Sequence, residues 1–279
     1  MKSVKGFLLV VIACSQNLLS YCQTLRRPVA ADYITLGAYS NSQQNVFSFT
    51  ANQAALNGLK NPGVGIYGER RFLLNELSFY EFAVGLPTHS GNFGITGRYY
   101  GFNSYNESLA GLAYARNLSD KIGVGVQFNY NSIKVAGYGS ATAVSFEAGA
   151  LLQLTEHLRA GVHLNNPVGG KYNKGDNEKL PFVYAAGLGF EPSDNFFIST
   201  EIEKEEDQPV NVNAGLQYKF LPQILARVGV STATTSIWMG VGVRVNSFRL
   251  DVNASYHPQL GLTPGLLLLF DLQQPEKKE

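Results

Sequence analysis

Strict alternation of apolar and polar positions dominates the chain after about residue 62. In residues 210–220, one face carries Val, Val, Ala, Leu, Tyr and Phe, and the other carries Asn, Asn, Gly, Gln and Lys. Residues 122–130, 237–245 and 248–257 alternate in the same way. Because successive side chains of a strand point to opposite sides, this period of two predicts β-strands with one apolar and one polar face.

The pattern predicts an all-β protein, a transmembrane antiparallel β-barrel of about fourteen strands. The predicted strands are 63–70, 75–86, 92–101, 107–117, 121–133, 141–154, 157–165, 181–191, 196–204, 209–220, 224–231, 236–245, 248–256 and 263–272. Tight turns, such as 118–120 and 246–247, alternate with longer connections, such as 166–180. This alternation, with an even strand number and roughly ten residues per strand, is typical of outer-membrane barrels.

The charged residues indicate which face points inward. They make up only 15% of the chain, against about 25% in an ordinary soluble domain. Since an Arg or Lys facing lipid at mid-bilayer costs about 2–4 kcal/mol, the apolar face is expected outside and the charged face in the lumen. The residues predicted to line the lumen are Arg98, Glu147, Arg159, His163, Glu201, Glu203, Lys219, Arg227, Trp238, Arg244, Arg249 and Asp251. Their mixed signs favour ion pairs over a strongly selective pore.

A soluble β-sandwich or lipocalin-like barrel is the alternative fold, with the apolar face packed inside. It is disfavoured because a soluble surface needs more Lys, Glu and Asp than this composition supplies. Fourteen strands are also many for a single soluble sheet system.

The first 22 residues are predicted to be a signal peptide, with a basic start (Met1–Lys5), an apolar stretch (Gly6–Ala13) and cleavage before Gln23. Both cysteines, Cys14 and Cys22, lie within it. Its removal takes away two lysines and changes the formal net charge from +1 to −1. The alternative is a lipoprotein signal that ends at Cys14.

Residues 23–62 are predicted to form an N-terminal plug. Their periodicity is weak, with a short helix expected at 52–59 and a turn at 61–63. Nearly 40 residues are too many for a simple tether, and a fourteen-stranded barrel encloses more space than its own side chains fill. The plug residues singled out are Asn52, Ala54, Ala55 and Leu56. A disordered periplasmic tail is the alternative. Residues 63–272 then form the barrel, and 273–279 a polar C-terminal tail.

The stretch Asn52-Gln53-Ala54-Ala55-Leu56 resembles the Asn-Pro-Ala-x-Leu element of FadL-like outer-membrane proteins, a family that includes the PorV/PorQ-like branch linked to type IX secretion. Gln53 stands where that element has proline. Leu180-Pro181 and residues 213–218 and 226–230 are also similar to motifs of that branch, with Gln217 in place of Glu and Val230 in place of Tyr. The resemblance implies a fourteen-stranded barrel with an N-terminal hatch. It also implies either passage of hydrophobic compounds or docking of secreted proteins.

No enzyme, metal or cofactor is expected. The four histidines, His89, His157, His163 and His257, fall on separate turns and strands, which is not the geometry of a catalytic triad. The acidic run at 201–207 lacks EF-hand spacing, and the Gly-x-Gly pairs at 123–125 and 240–242 lie inside strands. A net charge near zero gives no electrostatic case for nucleic-acid binding.

Two functions remain open for this protein of the Gram-negative envelope. The first is passive transport of hydrophobic or small amphipathic compounds across the outer membrane, motivated by bulky inward positions such as Trp238, Leu151, Leu225 and Leu267. The second is a PorV/PorQ-like accessory or docking role in type IX secretion, without transport. The expected partners are outer-membrane lipid and either a hydrophobic solute or secretion-machinery proteins.

Overall fold

The structure is a computed structural model that describes residues 27–173, 179–233 and 236–272. The predicted signal peptide (1–22) and the predicted C-terminal tail (273–279) lie outside these residues.

Fourteen antiparallel strands form one closed barrel, as predicted. Each strand pairs with its neighbours in sequence, and β1 pairs with β14, with Tyr67 opposite Leu267. The strands are β1 (Gly63–Arg70), β2 (Ser78–Leu86), β3 (Asn92–Phe102), β4 (Tyr105–Ser119), β5 (Ile122–Val135), β6 (Gly139–Gln153), β7 (Leu158–Asn165), β8 (Val183–Ser193), β9 (Phe196–Glu205), β10 (Asn211–Leu221), β11 (Ile224–Ser231), β12 (Ser236–Val245), β13 (Phe248–His257) and β14 (Gly261–Asp271).

The connections are less asymmetric than the sequence predicts. A loose loop was expected at every second connection, yet β3 and β4 are joined at that end by only Asn103 and Ser104. Here the ladder continues to Phe102 opposite Tyr105, and Gly101 adopts a φ of 103° against the backbone of Tyr105. The ladder between β5 and β6 also runs further than expected, to Val135 opposite Gly139.

The two faces of the wall have the predicted orientation. Along β1, Ile66 is 55% exposed, whereas Tyr67 and Glu69 are 3% and 4% exposed. The same alternation of exposed apolar and buried polar positions recurs in the other strands. An apolar exterior around a closed barrel is suited to acyl chains, so the soluble alternative is wrong and the barrel belongs in an outer membrane. Among the described residues, no helix is long and apolar enough to cross a bilayer.

Residues 27–61, here called the N-terminal segment, run inside the barrel. The segment contains helix α1 (Tyr33–Gly37) and two 3-10 helices, Val46–Thr50 and Gln53–Gly58. These helices contact strands around the circumference, from β1, β2 and β3 through β5 and β6 to β8, β9 and β10. Two further 3-10 turns, Arg71–Leu73 and Asn75–Leu77, connect β1 to β2.

Candidate functional site: the lumen and the N-terminal segment

The predicted lumen residues all occupy inward positions of their strands. Eight of them are buried: Arg98, Glu147, His163, Glu201, Arg227, Trp238, Arg249 and Asp251. Three are partly exposed, namely Arg159, Glu203 and Lys219. The last, Arg244, lies near the end of β12, where its guanidinium is 3.2 Å from the carboxylate of Asp271 and its side chain is 46% exposed.

Two asparagines start the 3-10 helices of the N-terminal segment. The Asn45 side chain accepts a hydrogen bond from the Phe47 N–H (2.8 Å), and Asn52 accepts one from the Ala54 N–H (3.1 Å). Asn is a preferred cap because its short side chain satisfies an otherwise unpaired backbone donor. The Asn52 amide also donates to the carbonyl of Val162 (3.0 Å), which fixes the second helix to β7. The four residues singled out in this element, Asn52, Ala54, Ala55 and Leu56, are at most 1% exposed.

Gln53, the departure from the family element, forms a contact that proline cannot make. Its amide donates to Glu147 on β6 (Nε2 to Oε2, 2.7 Å). Nε2 of His163 lies 3.1 Å from the same oxygen, and Asn129 donates to the other oxygen of Glu147 (2.6 Å). Glu147 therefore has hydrogen-bond partners on the wall and on the N-terminal segment, and Gln53 provides the link between them.

Inward-facing glycines allow the segment to lie directly against the wall. A Cβ at Gly125 would come within 2.5 Å of the Gln53 carbonyl carbon, and one at Gly189 within 2.2 Å of the Tyr39 carbonyl oxygen. Both neighbours are backbone atoms, so no side-chain movement would relieve the clash. These inward-facing glycines thus accommodate the N-terminal segment.

Glu201 binds two donors from the first part of the segment. It accepts hydrogen bonds from Arg27 (Nη1 to Oε1, 2.7 Å) and from the Tyr39 hydroxyl (2.6 Å). The other terminal nitrogen of Arg27 is 2.5 Å from a carboxylate oxygen of Glu203. Such charge-assisted bonds are shorter and stronger than neutral ones.

Two further wall carboxylates bind the segment through its backbone. Glu191 accepts from the Asn41 N–H (2.7 Å) and the Ser40 hydroxyl (2.9 Å). Glu69 accepts from the Ala30 N–H (2.8 Å). These carboxylates satisfy the backbone donors of Ala30 and Asn41, which lie on either side of α1.

A buried charge cluster lies on β11 and β13. Asp251 forms ion pairs with Arg227 and Arg249, each at 2.8 Å, and accepts a hydrogen bond from the Tyr33 hydroxyl at 3.1 Å. The guanidinium carbon of Arg227 lies 4.0 Å from the ring centroid of Tyr33, within the range of a cation–π contact. The predicted mixture of signs in the lumen thus takes the form of paired charges.

Several inward residues of this site were missed from the sequence. Glu81 pairs with Arg98 (2.7 Å), and Arg71 pairs with Glu69 (2.9 Å). Glu69, Glu81 and Glu191 lie at inward positions of strands that the sequence did predict. The alternation of polar and apolar positions could therefore have identified them, had it been applied to every charged residue on the inward face.

Burial changes the acid–base behaviour of the N-terminal segment. It raises the pKa of Asp32, just before α1, to about 8, although Arg27 acts in the opposite direction. Burial and the neighbouring Glu201 also raise the pKa of Tyr39 well above its ordinary value. Asp32 is therefore mainly protonated at neutral pH, since losing water disfavours its charged form.

No cluster of three or more His, Cys, Asp or Glu residues suited to a metal ion occurs in the described ranges. His163 is buried beside Glu147, whereas His89 and His157 lie exposed at turns.

Two small cavities lie inside the described part of the barrel. A polar cavity of about 40 Å³ lies among Arg98, Asn129 and Glu147, and another of about 20 Å³ lies between α1 and strands β9–β12. Much larger grooves, of about 680 Å³ and 520 Å³, lie on the lipid-facing side.

No family profile matches the chain, and no curated protein matches it either. Solved structures do match. The monoaromatic hydrocarbon channel CymD is similar with a TM-score of 0.64 and 13% identity, covering 88% of this chain and 97% of that one. The toluene transporter TbuX of Ralstonia pickettii is similar with a TM-score of 0.58 and 12% identity, covering 82% and 94%.

A FadL homologue from Pseudomonas aeruginosa gives a TM-score of 0.60 at 10% identity, covering 90% of this chain and 100% of that one. At such low identities the likeness establishes the fold alone. Together with the strand count, the closure of β1 on β14 and the segment in the lumen, these similarities show that the chain has the fold of the FadL-like outer-membrane channels, as the resemblance at Asn52–Leu56 implied.

Proposed function

We propose that the barrel provides a passive route for small hydrophobic or amphipathic compounds across the outer membrane, with residues 23–62 acting as a movable plug. The observation that carries this proposal is the contact between the segment and the lumen wall. The segment is attached by hydrogen bonds and packing to strands around the circumference, and the cavity that it lines together with β9–β12 is only about 20 Å³. Channels of the same fold, such as CymD and TbuX, are described as carrying monoaromatic hydrocarbons and toluene.

A disulfide between the segment and the wall tests this role. A Cβ at Gly63 would lie 3.7 Å from the Cβ of Val46, within the range of about 3.5–4.5 Å for a disulfide. The double variant Val46→Cys/Gly63→Cys is reconstituted into vesicles with a lipopolysaccharide outer leaflet, and toluene flux is measured. Oxidation is expected to reduce the flux at least tenfold, and reduction to restore it.

The single-cysteine variants are the matched controls and are expected to conduct equally in both redox states. Equal flux through the oxidised and reduced double variant would show that the segment is no plug. Absence of flux through every variant and through the unaltered chain would argue against transport itself.

The docking alternative has no comparable support. Apart from the β1–β2 and β7–β8 connections, the connections at the end opposite the chain termini are short, such as Asn103–Ser104 and residues 258–260. They offer little surface to a secreted protein.

A further inference from the structure

A small interior cavity beside Trp238 is lined by both polar and apolar groups. The indole of Trp238 on β12 lies against Gly229 of the adjacent strand β11 and Gly215 of the next strand, β10. A Cβ at Gly229 would be 2.1 Å from its Cζ2, and one at Gly215 would be 2.6 Å from its Cη2. The ring lies flat along the wall beside the cavity of about 20 Å³ that Trp238 and Gln217 line together with Leu36 of α1.

Two buried hydrogen-bond donors at this cavity have no partner. Within the described chain, neither the Trp238 Nε1 nor the Gln217 Nε2 makes a hydrogen bond, although the two residues are only 1% and 6% exposed. The orientation of the Gln217 amide is defined, because its oxygen accepts a hydrogen bond from the Nε of Arg227. Both unpartnered groups are therefore N–H donors, and a buried donor without an acceptor is destabilising.

The neighbouring charges also favour an acceptor. Arg227 borders the cavity, and with Arg249 it supplies two positive charges against the single negative charge of Asp251. The remaining walls are mixed, with Leu36, Phe197 and the ring of Tyr33 beside the polar side chains of Gln43 and Asn45. Apolar walls with a small number of placed polar groups are typical of sites for small amphipathic molecules.

We infer that Trp238 and Gln217 form a binding site for the acceptor oxygen of a small amphipathic solute, such as the carbonyl of a cyclic ketone. This inference rests on the proposed transport and narrows its solute class. A cavity that holds a water needs about 10–15 Å³, so the space of about 20 Å³ takes the oxygen alone. The rest of the solute displaces Tyr33 and Leu36 of α1, so that binding shifts the N-terminal segment away from β10–β12.

Trp238 reports on this site directly, since it is the only tryptophan of the chain. The detergent-solubilised full mature chain is titrated with cyclohexanone and with methylenecyclohexane, which differ only in C=O against C=CH2. Concentrations are expressed as mole fraction in the micelle. Cyclohexanone is expected to change the Trp238 emission saturably, with half-saturation at least tenfold lower than for the hydrocarbon.

Two glutamine variants test whether the ketone response comes from this cavity or from another part of the lumen. Gln217→Met is expected to weaken the ketone response at least fivefold while leaving the hydrocarbon response unchanged. Gln127→Met, at a buried inward glutamine on β5, is expected to leave both responses unchanged. Equal half-saturation for the two compounds in the unaltered chain would overturn the inference, and that comparison holds even if a variant fails to fold.

Flux measurements keep this inference distinct from the transport proposal. If both compounds cross vesicles equally and Trp238 does not discriminate between them, the acceptor site is wrong and transport stands. If Trp238 discriminates but neither compound crosses, the site stands and transport is wrong.

Discussion

The two parts of the N-terminal segment are held in the lumen by different forces. Residues 27–43 bond to four wall carboxylates, since Glu69, Glu191, Glu201 and Asp251 accept hydrogen bonds from this part, and Tyr39 also packs on Gly189. Residues 45–59 bond to Glu147 through Gln53 and are otherwise held mainly by shape: their 3-10 helices are capped by their own asparagines and pack onto wall glycines.

This difference indicates how each part can be released. Charge-assisted bonds depend on protonation and on the identity of single carboxylates, so the first part responds to pH and to charge substitutions. Close packing depends on volume, so the second part responds to added atoms in the wall. The two parts can therefore be perturbed separately, the first by protonation or charge substitution and the second by added volume.

The largest effect is expected from Asp251→Ala, which tests the charge-held part. The substitution leaves Arg227 and Arg249 buried without their carboxylate, and removing one partner of a buried pair costs about 3–5 kcal/mol. The free energy of unfolding, measured by urea denaturation in lipid vesicles, is expected to fall by this amount. Asp120→Ala, at an exposed turn, is the control, and equal losses in both variants would contradict the assigned role of the cluster.

Gly125→Val tests the shape-held part. The new side chain meets the backbone of Gln53, and overpacking of a closely packed interior costs about 1–3 kcal/mol. We expect a lower free energy of unfolding and easier protease cleavage within residues 45–59, with residues 27–43 less affected. Ala110→Val, on the exposed face of β4, should show neither change, and a stable, protease-resistant Gly125→Val would refute the close approach.

The pH dependence of stability that Asp32 causes tests the first part of the N-terminal segment. Its pKa is raised from 3.8 to about 8, so the folded state holds this proton more tightly than the unfolded state. The free energy of unfolding therefore falls as pH rises from about 4 to about 8 and levels off above that. Asp32→Asn is expected to remove this slope. The difference between the two unfolding profiles is the measurement, and identical profiles would exclude the contribution.

Asn45→Ala gives the smallest expected effect and again addresses the second part. The substitution removes the acceptor of the Phe47 N–H at the start of a 3-10 helix, and loss of such a cap costs about 1 kcal/mol. Urea unfolding measures the loss, and Asn103→Ala in the exposed β3–β4 turn is the matched control. A neutral Asn45→Ala would mean that packing alone holds this part in place.

The barrel was predictable from the sequence because each strand carries its own signal. Alternation placed β1, β11 and β12 at the residues where the structure has them, and it placed the charged face inward. The tight turn at Asn103–Ser104 was missed because the polar residues that continue the ladder there are also typical of a loop.

The arrangement of the N-terminal segment was only partly predictable. The short helix after Asn52 was expected, although its 3-10 form was not. The wall residues that the segment contacts could not be predicted, because each contact joins residues far apart in the chain, such as Arg27 with Glu201 or Tyr39 with Gly187. A single sequence shows which wall positions are charged or small, but it does not show which part of the segment each one meets.

The seam between β1 and β14 has a consequence for biogenesis. The N-terminal segment is made before every strand, yet its partner Asp251 belongs to β13, and the seam joins the first strand to the last. Bringing such distant stretches together is entropically costly and slow. The N-terminal segment must consequently enter the lumen while strands β1 and β14 pair. A barrel that closed first would have an empty lumen, with the N-terminal segment left outside it.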